Sequence, residues 1–301
     1  MIPRLDVILI QKGDPKTLAA LREAATGVGF ATIYNTALTG VRVSDVIETY
    51  RAFFKRPEHE KREIDMARTA ANRGWGAAGS EQVDPNANPD YKQFFDNGAE
   101  LPLGDPRAEL SVYAANQWPE GDDAFREIIS AYYEDAIGVS KRILRGIAMA
   151  IEMPSNYFDA AFETPMALLR GNYYPERSLD ATAEDFGIAT HTDYGCLTLL
   201  AMDGSPGLEV RKRGGGWIPV SAQPCEFIVN FGEVMEFWTS GAVKATPHRV
   251  VGGNAERISV PLFFNPAHDT NVAPPDSGDV VLAGDHLSRR FKETYLHLKN
   301  G

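Results

Sequence analysis

The chain has 301 residues, 44% hydrophobic and 24% charged, the composition of an ordinary globular protein long enough to bury a sizeable core. Its net charge of −11 argues against nucleic acid or an anionic membrane gripped through a basic face. Two cysteines, Cys196 and Cys225, are too few for a disulfide framework and form no C-x-x-C pair. Both sit among apolar, strand-like residues, which predicts buried, inert thiols.

The N-terminal residues show no signal-peptide pattern, and no run approaches the roughly 18 apolar residues of a spanning helix. The expected location is cytoplasmic. Residues 4–10 read as a strand, 15–28 as a helix and 29–34 as a strand again. A second helix is expected over 44–54 with Ser44 as N-cap. The cluster 58–63 predicts a solvated surface, His59 included. Residues 72–98 are rich in Gly, Pro and Asn and read as long loops. They carry Arg73, Trp75, Glu81, Tyr91, Phe94 and Phe95, and such loops are candidates for substrate contact.

Apolar residues at helical spacing predict a long helix over 122–153 that backs a sheet. From residue 165 the texture changes to short strands separated by Gly and Pro. Eight are expected: 166–174, 188–193, 197–201, 208–212, 217–220, 227–231, 243–250 and 257–264. That number suits a jelly-roll barrel. A last helix is expected over 284–298 with Asp285 as its cap. His268, His286 and His297 share no metal-ligand spacing and read as structural or surface residues.

The chemistry concentrates in residues 188–200 (IATHTDYGCLTLL). In an extended strand side chains repeat every two residues, so His191 and Asp193 share a face and can grip one ion. His248 lies 55 residues after Asp193, between apolar neighbours. Two imidazoles and one carboxylate suit non-haem Fe(II), because they leave coordination positions open. Nine residues beyond His248, Arg257 and Ser259 share a face of another apolar strand. An arginine aimed into an apolar barrel is costly without an anion to meet it. Asn172 and Tyr174 stand two residues apart on a further strand.

These landmarks, together with IPRLD at 2–6, EA at 23–24, GF at 29–30, NYYP at 172–175, HTDYG at 191–195, GEVMEFW at 232–238, ATPHRV at 245–250 and RIS at 257–259, occur in one order over most of the chain. In that order the chain resembles the iron(II)- and 2-oxoglutarate-dependent oxygenases of the isopenicillin N synthase-like group. The resemblance implies a mainly β fold with flanking helices, a double-stranded β-helix (jelly-roll) barrel backed by the long helix. It implies one oxygenase domain over 1–301: an N-terminal α/β cap region (1–110), backing helices (111–164), the jelly-roll core (165–267) and a C-terminal extension with a helix (268–301).

By resemblance, His191, Asp193 and His248 are the Fe(II) ligands and catalytic centre. Arg257 and Ser259 hold the distal carboxylate of 2-oxoglutarate, and Asn172 and Tyr174 orient its metal-binding end. The implied reaction takes O2, releases succinate and carbon dioxide, and hydroxylates or otherwise oxidises a small molecule, with Tyr194 joining the loop residues as a substrate candidate. Ascorbate is a further candidate cofactor. Two features depart from the group: Arg257 stands one residue closer to the distal histidine than is usual, and residues 34–40 lack a histidine that many members carry. Two rivals remain, an oxidase of the same fold that does not use 2-oxoglutarate and a non-catalytic, metal-containing module for a small ligand. Oligomeric state and substrate identity are not legible.

Overall fold

A computed structural model of the protein describes residues 2–299 apart from 70–71, 103, 178–179, 181, 183–184 and 254. Twelve strands are present among them: β1 Arg4–Asp6, β2 Phe30–Tyr34, β3 Gly74–Gly76, β4 Gln93–Gly98, β5 Leu168–Tyr174, β6 Ile188–His191, β7 Leu197–Met202, β8 Leu208–Arg211, β9 Trp217–Pro219, β10 Phe227–Phe231, β11 His248–Val250 and β12 Arg257–Phe264. They form an eight-stranded sheet, in the order β1-β2-β10-β7-β12-β5-β4-β3, and a four-stranded sheet, β6-β11-β8-β9. The two sheets are the walls of a double-stranded β-helix, the expected jelly-roll class.

The helices are α1 Val7–Gln11, α2 Pro15–Thr26, α3 Gly40–Phe54, α4 Glu58–Lys61, α5 Asp123–Ala150, α6 Glu233–Trp238, α7 Ala283–Thr294 and α8 Leu296–Lys299. The long α5 starts where Asp122 accepts a hydrogen bond from the Phe125 amide at 3.0 Å, satisfying an otherwise free donor. Its apolar stripe, including Phe125, Ile129, Tyr132, Ala136, Val139, Ile143 and Ile147, is buried. That stripe packs on α1, α2 and α3 and on strands β7 and β12.

Period-2 alternation sorts the large sheet into two faces. On β12, Ile258, Val260, Leu262 and Phe264 join the helix-backed core, while Arg257, Ser259, Pro261 and Phe263 line an interior cavity. On β7, Leu197, Leu199 and Ala201 face the helices and Thr198 and Leu200 the interior. On β5 a Cβ on Gly171 would strike the Tyr50 ring of α3, whereas Arg170, Asn172 and Tyr174 line interior cavities. One face therefore stabilises the fold, each large apolar side chain contributing about 1.5–3 kcal/mol through burial. The other face is free to carry polar chemistry.

Several expected boundaries move. Residues 7–10 are not strand: Asp6 accepts from the amides of Ile8 and Leu9 and starts α1. The second helix begins at Gly40, capped by Thr39 rather than Ser44. The 72–98 region contains β3 and β4, because Phe94 and Phe95 find partners on opposite faces of the sheet. Of the expected 243–250 strand, His248–Val250 forms a ladder strand, and Ala245 makes an isolated parallel bridge to Phe231. The last helix starts at Ala283 without a side-chain cap, so Asp285 sits in its first turn instead. Cys196 is buried but Cys225 is exposed in the turn before β10, with φ of 68°; an apolar neighbourhood in sequence did not carry this loop residue inward.

Candidate metal centre

His191 ends β6, and His248 opens β11 directly opposite it in register. Asp193 is not on the strand. The chain leaves the ladder after His191, and residues 192–195 are held by backbone hydrogen bonds from α6: the Glu233 amide donates to the Asp193 carbonyl at 2.8 Å and the Val234 amide to the Gly195 carbonyl at 3.0 Å. Gly232 is needed for this close approach, since a Cβ there would stand 2.5 Å from the Asp193 carbonyl oxygen. The sharing of one face by His191 and Asp193 is thus achieved by a loop anchored on a helix start.

The three ligand atoms all lie within 4.8 Å of one another. Asp193 Oδ1 stands 3.9 Å from His191 Nε2 and 3.7 Å from His248 Nε2. Each imidazole uses Nδ1 on the carbonyl two residues upstream, His191 on Ala189 at 2.8 Å and His248 on Thr246 at 3.1 Å. The bond fixes the tautomer and turns both Nε2 lone pairs toward Asp193. Asp193 Oδ2 accepts from Thr198 Oγ1 at 2.5 Å and from Asn230 Nδ2 at 2.6 Å, which leaves Oδ1 for an ion. Burial, with His248 alongside, lowers His191 to about 4, so the ring is neutral at pH 7. Burial works against the Asp193 carboxylate, but His248, His191 and the two hydrogen bonds outweigh it and lower its pKa. Two imidazoles and a carboxylate on one side of a cavity fit Fe(II).

Two cavities meet at this triad, and His191, Asp193 and Asn172 line both. The inner one is also lined by Tyr174, Thr198, Asn230, His248, Arg257 and Ser259. Arg257 is 4% exposed and has no carboxylate within ion-pair distance among the described residues. It donates to Met202 Sδ at 3.3 Å, its carbon centre lies 4.8 Å from the Tyr174 ring centroid, and Nε and Nη1 find no acceptor. Asn172 Oδ1 is also buried without a partner, while its Nδ2 donates to Ser259 Oγ at 3.4 Å. A buried guanidinium with orphaned N–H groups calls for an anion. 2-Oxoglutarate, with a keto acid for the triad and a distal carboxylate for Arg257, fits the donor set.

The outer cavity is lined by Arg73, Glu81 and Tyr194 from the expected residues, and by Lys92, Arg170 and Tyr295, which sequence reasoning missed. Arg170 makes a bidentate pair with Asp96, both bonds 2.7 Å, and also reaches Glu81 at 2.9 Å and the Tyr295 hydroxyl at 2.6 Å. Lys92 pairs with Glu81 and lies 3.4 Å from Asp90. Burial would raise Glu81, but Arg170 and Lys92 outweigh it and hold it at about 2. Burial pushes Asp90 up to about 6 against the pull of Lys92 and Tyr194 up to about 12.

Four expected substrate residues do not line this cavity. Trp75 is 2% exposed in the main core and donates to Gln93 Oε1 at 3.0 Å. Phe95 packs against Phe53 and Phe125. Phe94 lies beneath Arg170, with the guanidinium carbon 4.1 Å from its ring centroid. Tyr91 packs over Gly252, where an added Cβ would collide with its hydroxyl. Aromatics in a Gly-rich segment thus serve the core, because strand pairing carries them inward.

The C-terminal helix reaches this centre. Glu233 accepts from Thr192 Oγ1 at 2.8 Å and from Arg290 Nη2 at 3.1 Å, and His286 Nε2 stands 3.3 Å from its carboxylate. His297 Nε2 lies 3.1 Å from Asn72 Oδ1.

Comparison with known proteins agrees with this geometry. Residues 2–121 match the family model described as the non-haem dioxygenase in morphine synthesis N-terminal region, and residues 165–266 match the 2OG-Fe(II) oxygenase superfamily. The chain is 30% identical over 274 residues to a 2-oxoglutarate-Fe(II) type oxidoreductase of Aspergillus fumigatus, covering 87% of this chain and 81% of that protein. It is 30% identical over 327 residues to the homoarginine-6-hydroxylase of Glycine max, covering 99% and 98%. Among solved structures, a full-length Neurospora crassa protein in complex with alpha-KG and thymine superimposes with a TM-score of 0.84 at 26% identity, over 97% and 96% of the two chains. The chain belongs to the 2OG-Fe(II) oxygenase superfamily and is a non-haem Fe(II) enzyme that couples oxidative decarboxylation of 2-oxoglutarate to oxidation of a small molecule.

Proposed function

We propose that His191, Asp193 and His248 hold the iron, that Arg257 and Ser259 hold the distal carboxylate of 2-oxoglutarate in the inner cavity, and that the substrate enters the outer cavity. The observation that carries this reading is Arg257, a buried guanidinium with two orphaned N–H positions lining the same cavity as the triad. Bound iron with 2-oxoglutarate and O2 supplies the oxidising chemistry, releasing succinate and carbon dioxide.

The chain's own residues position the reactants and keep water out. Thr198 and Asn230 hold Asp193 so that one oxygen faces the metal. Tyr174 supports Arg257, whose guanidinium carbon lies 4.8 Å from its ring centroid, and this contact supports a role for Tyr174 beside the distal carboxylate in addition to the metal-binding end. Asn172, on the wall common to both cavities, offers its unpartnered Oδ1 there. Arg73, Glu81 and Tyr194 face the substrate, whereas Trp75, Tyr91, Phe94 and Phe95 support the wall behind it. The outcome is hydroxylation or a related oxidation of the small molecule held in the outer cavity.

We read the whole chain as one oxygenase unit: residues 1–110 are an N-terminal cap region that also adds β1–β4 to the large sheet, 111–164 back the barrel, 165–267 carry the metal and co-substrate sites, and 268–301 close the substrate side. Its location is cytoplasmic, and ascorbate serves as an external reductant. No helix among the described residues is long and apolar enough to cross a membrane. The test is substrate-independent turnover: with Fe(II), O2 and 2-oxoglutarate, the wild type is expected to release succinate slowly and Asp193→Ala not at all. Equal release from both would refute the ligand assignment.

A further inference from the structure

The feature that marks the inner cavity as an anion site occurs a second time. Arg73, the residue before β3, is 4% exposed and lines the outer cavity. Its guanidinium lies against Gly98, where an added Cβ would stand 2.8 Å from Nε. Nη2 donates to the Val112 carbonyl at 2.6 Å and Nη1 to the Asn72 carbonyl at 3.1 Å. Nε is buried without an acceptor. No carboxylate lies within ion-pair distance of it among the described residues.

Its charged neighbours are committed elsewhere. Asp96 is engaged bidentately by Arg170, and Glu81 is shared between Arg170 and Lys92. Asp90 stands beside Lys92 and accepts from the Ala189 amide. If all six groups are ionised, the three cations and three anions balance only as a set, and Arg73 has two neutral carbonyls as its hydrogen-bond partners. Burial lowers its pKa, with Asp96 partly offsetting. The rest of the wall is largely apolar, with Val112, Met166, Leu168, Leu287 and Phe291.

We propose that Arg73 is a substrate-binding residue and that the substrate is a small molecule bearing one carboxylate on an apolar body, with the carboxylate on Arg73 and the body directed along the apolar wall toward the triad. The proposal rests on the assignment of the inner cavity to 2-oxoglutarate, which occupies Arg257 and so keeps the two anion sites separate. A charge-assisted hydrogen bond in a buried site makes an acid bind about ten- to a hundredfold tighter than its uncharged amide.

The experiment is calorimetric titration of the anaerobic Fe(II)-loaded protein, first with 2-oxoglutarate to saturation and then with three acid and amide pairs: butanoate and butanamide, hexanoate and hexanamide, phenylacetate and phenylacetamide. At least one pair is expected to show an acid preference of about tenfold or more. Arg73→Met is expected to reduce that preference to within about twofold while leaving amide affinity in place; a purely structural role would weaken both ligands alike. Should Arg73→Met fail to fold, Arg73→Lys decides: losing the planar fork is expected to cut the preference about threefold or more, and an unchanged preference overturns the assignment. A normal 2-oxoglutarate heat followed by equal acid and amide affinities in all three pairs overturns it alone. A missing 2-oxoglutarate heat removes the co-substrate reading and this assignment with it.

Discussion

Replacing Arg257 by Met separates a residue that binds ligand from one that holds the fold, because the two roles predict opposite signs. In the ligand-free protein Nε and Nη1 of Arg257 are buried without acceptors, and each unsatisfied group costs about 1–3 kcal/mol. Methionine fills similar space without that cost. The unfolding free energy of ligand-free Arg257→Met is therefore expected to be unchanged or higher by about 1–4 kcal/mol. Binding moves the other way, since deleting one partner of a buried charged pair costs about 2–5 kcal/mol. The dissociation constant for 2-oxoglutarate should rise roughly thirtyfold to several thousandfold. Urea unfolding with and without 2-oxoglutarate reads both effects: at a hundred times the wild-type dissociation constant the ligand stabilises the wild type by about 2.7 kcal/mol, and it should stabilise the variant by less than about 1 kcal/mol. Ligand-free destabilisation of about 3–5 kcal/mol, as when a buried ion pair is broken, would refute the reasoning.

Three further outcomes follow from the same contacts. Asn230→Leu removes one of the two donors that hold Asp193 Oδ2 and should weaken Fe(II) binding about 10–100-fold in a competitive chelator titration. Gly232→Ala puts a methyl group against the carbonyls of Asp193 and Gly195, so iron affinity should fall at least as far, with a lower melting temperature. Glu81→Gln leaves Lys92 and Arg170 short of a counter-charge and should destabilise the protein by about 3–5 kcal/mol near pH 7 in denaturant titrations. Glu81 is held at about 2, below its usual value, so its contribution is fully present above about pH 4.5 and is lost as pH falls toward 2; the variant's stability curve should be flatter across that window.

The metal centre was legible because an ion needs particular donors: His191, His248, Arg257 and Ser259 are polar residues in apolar strands, and Asp193 stands two residues after His191. Thr198 and Asn230 likewise occupy inward positions of apolar strands, and Arg170 interrupts the apolar run of β5. What the alternation could not reveal was the partner of each. Lys92 and Glu81 meet because the intervening loop closes on itself, the Asp90 amide donating to the Glu81 carbonyl and the Gly79 amide to the Asp90 carbonyl, whereas Arg170 reaches Glu81 from β5, 89 residues away, a long-range arrangement with no local signature. The 72–98 segment misled for a related reason. Gly and Pro there mark short strands and tight approaches, as where Gly76 accommodates the Phe94 ring, and the aromatics between them belong to the core. The position of Asp193 off the strand, held by the start of α6, was likewise set by tertiary contact rather than by period.

Anaerobic titration of the Fe(II)-loaded protein with 2-oxoglutarate, followed by visible absorption, tests the central claim most directly. A weak charge-transfer band of a metal-chelated keto acid is expected to grow to one equivalent in the wild type, to require much higher 2-oxoglutarate in Arg257→Met and to be absent in Asp193→Ala. Bound iron with no band at any 2-oxoglutarate concentration, or an unchanged band in Asp193→Ala, would contradict the account.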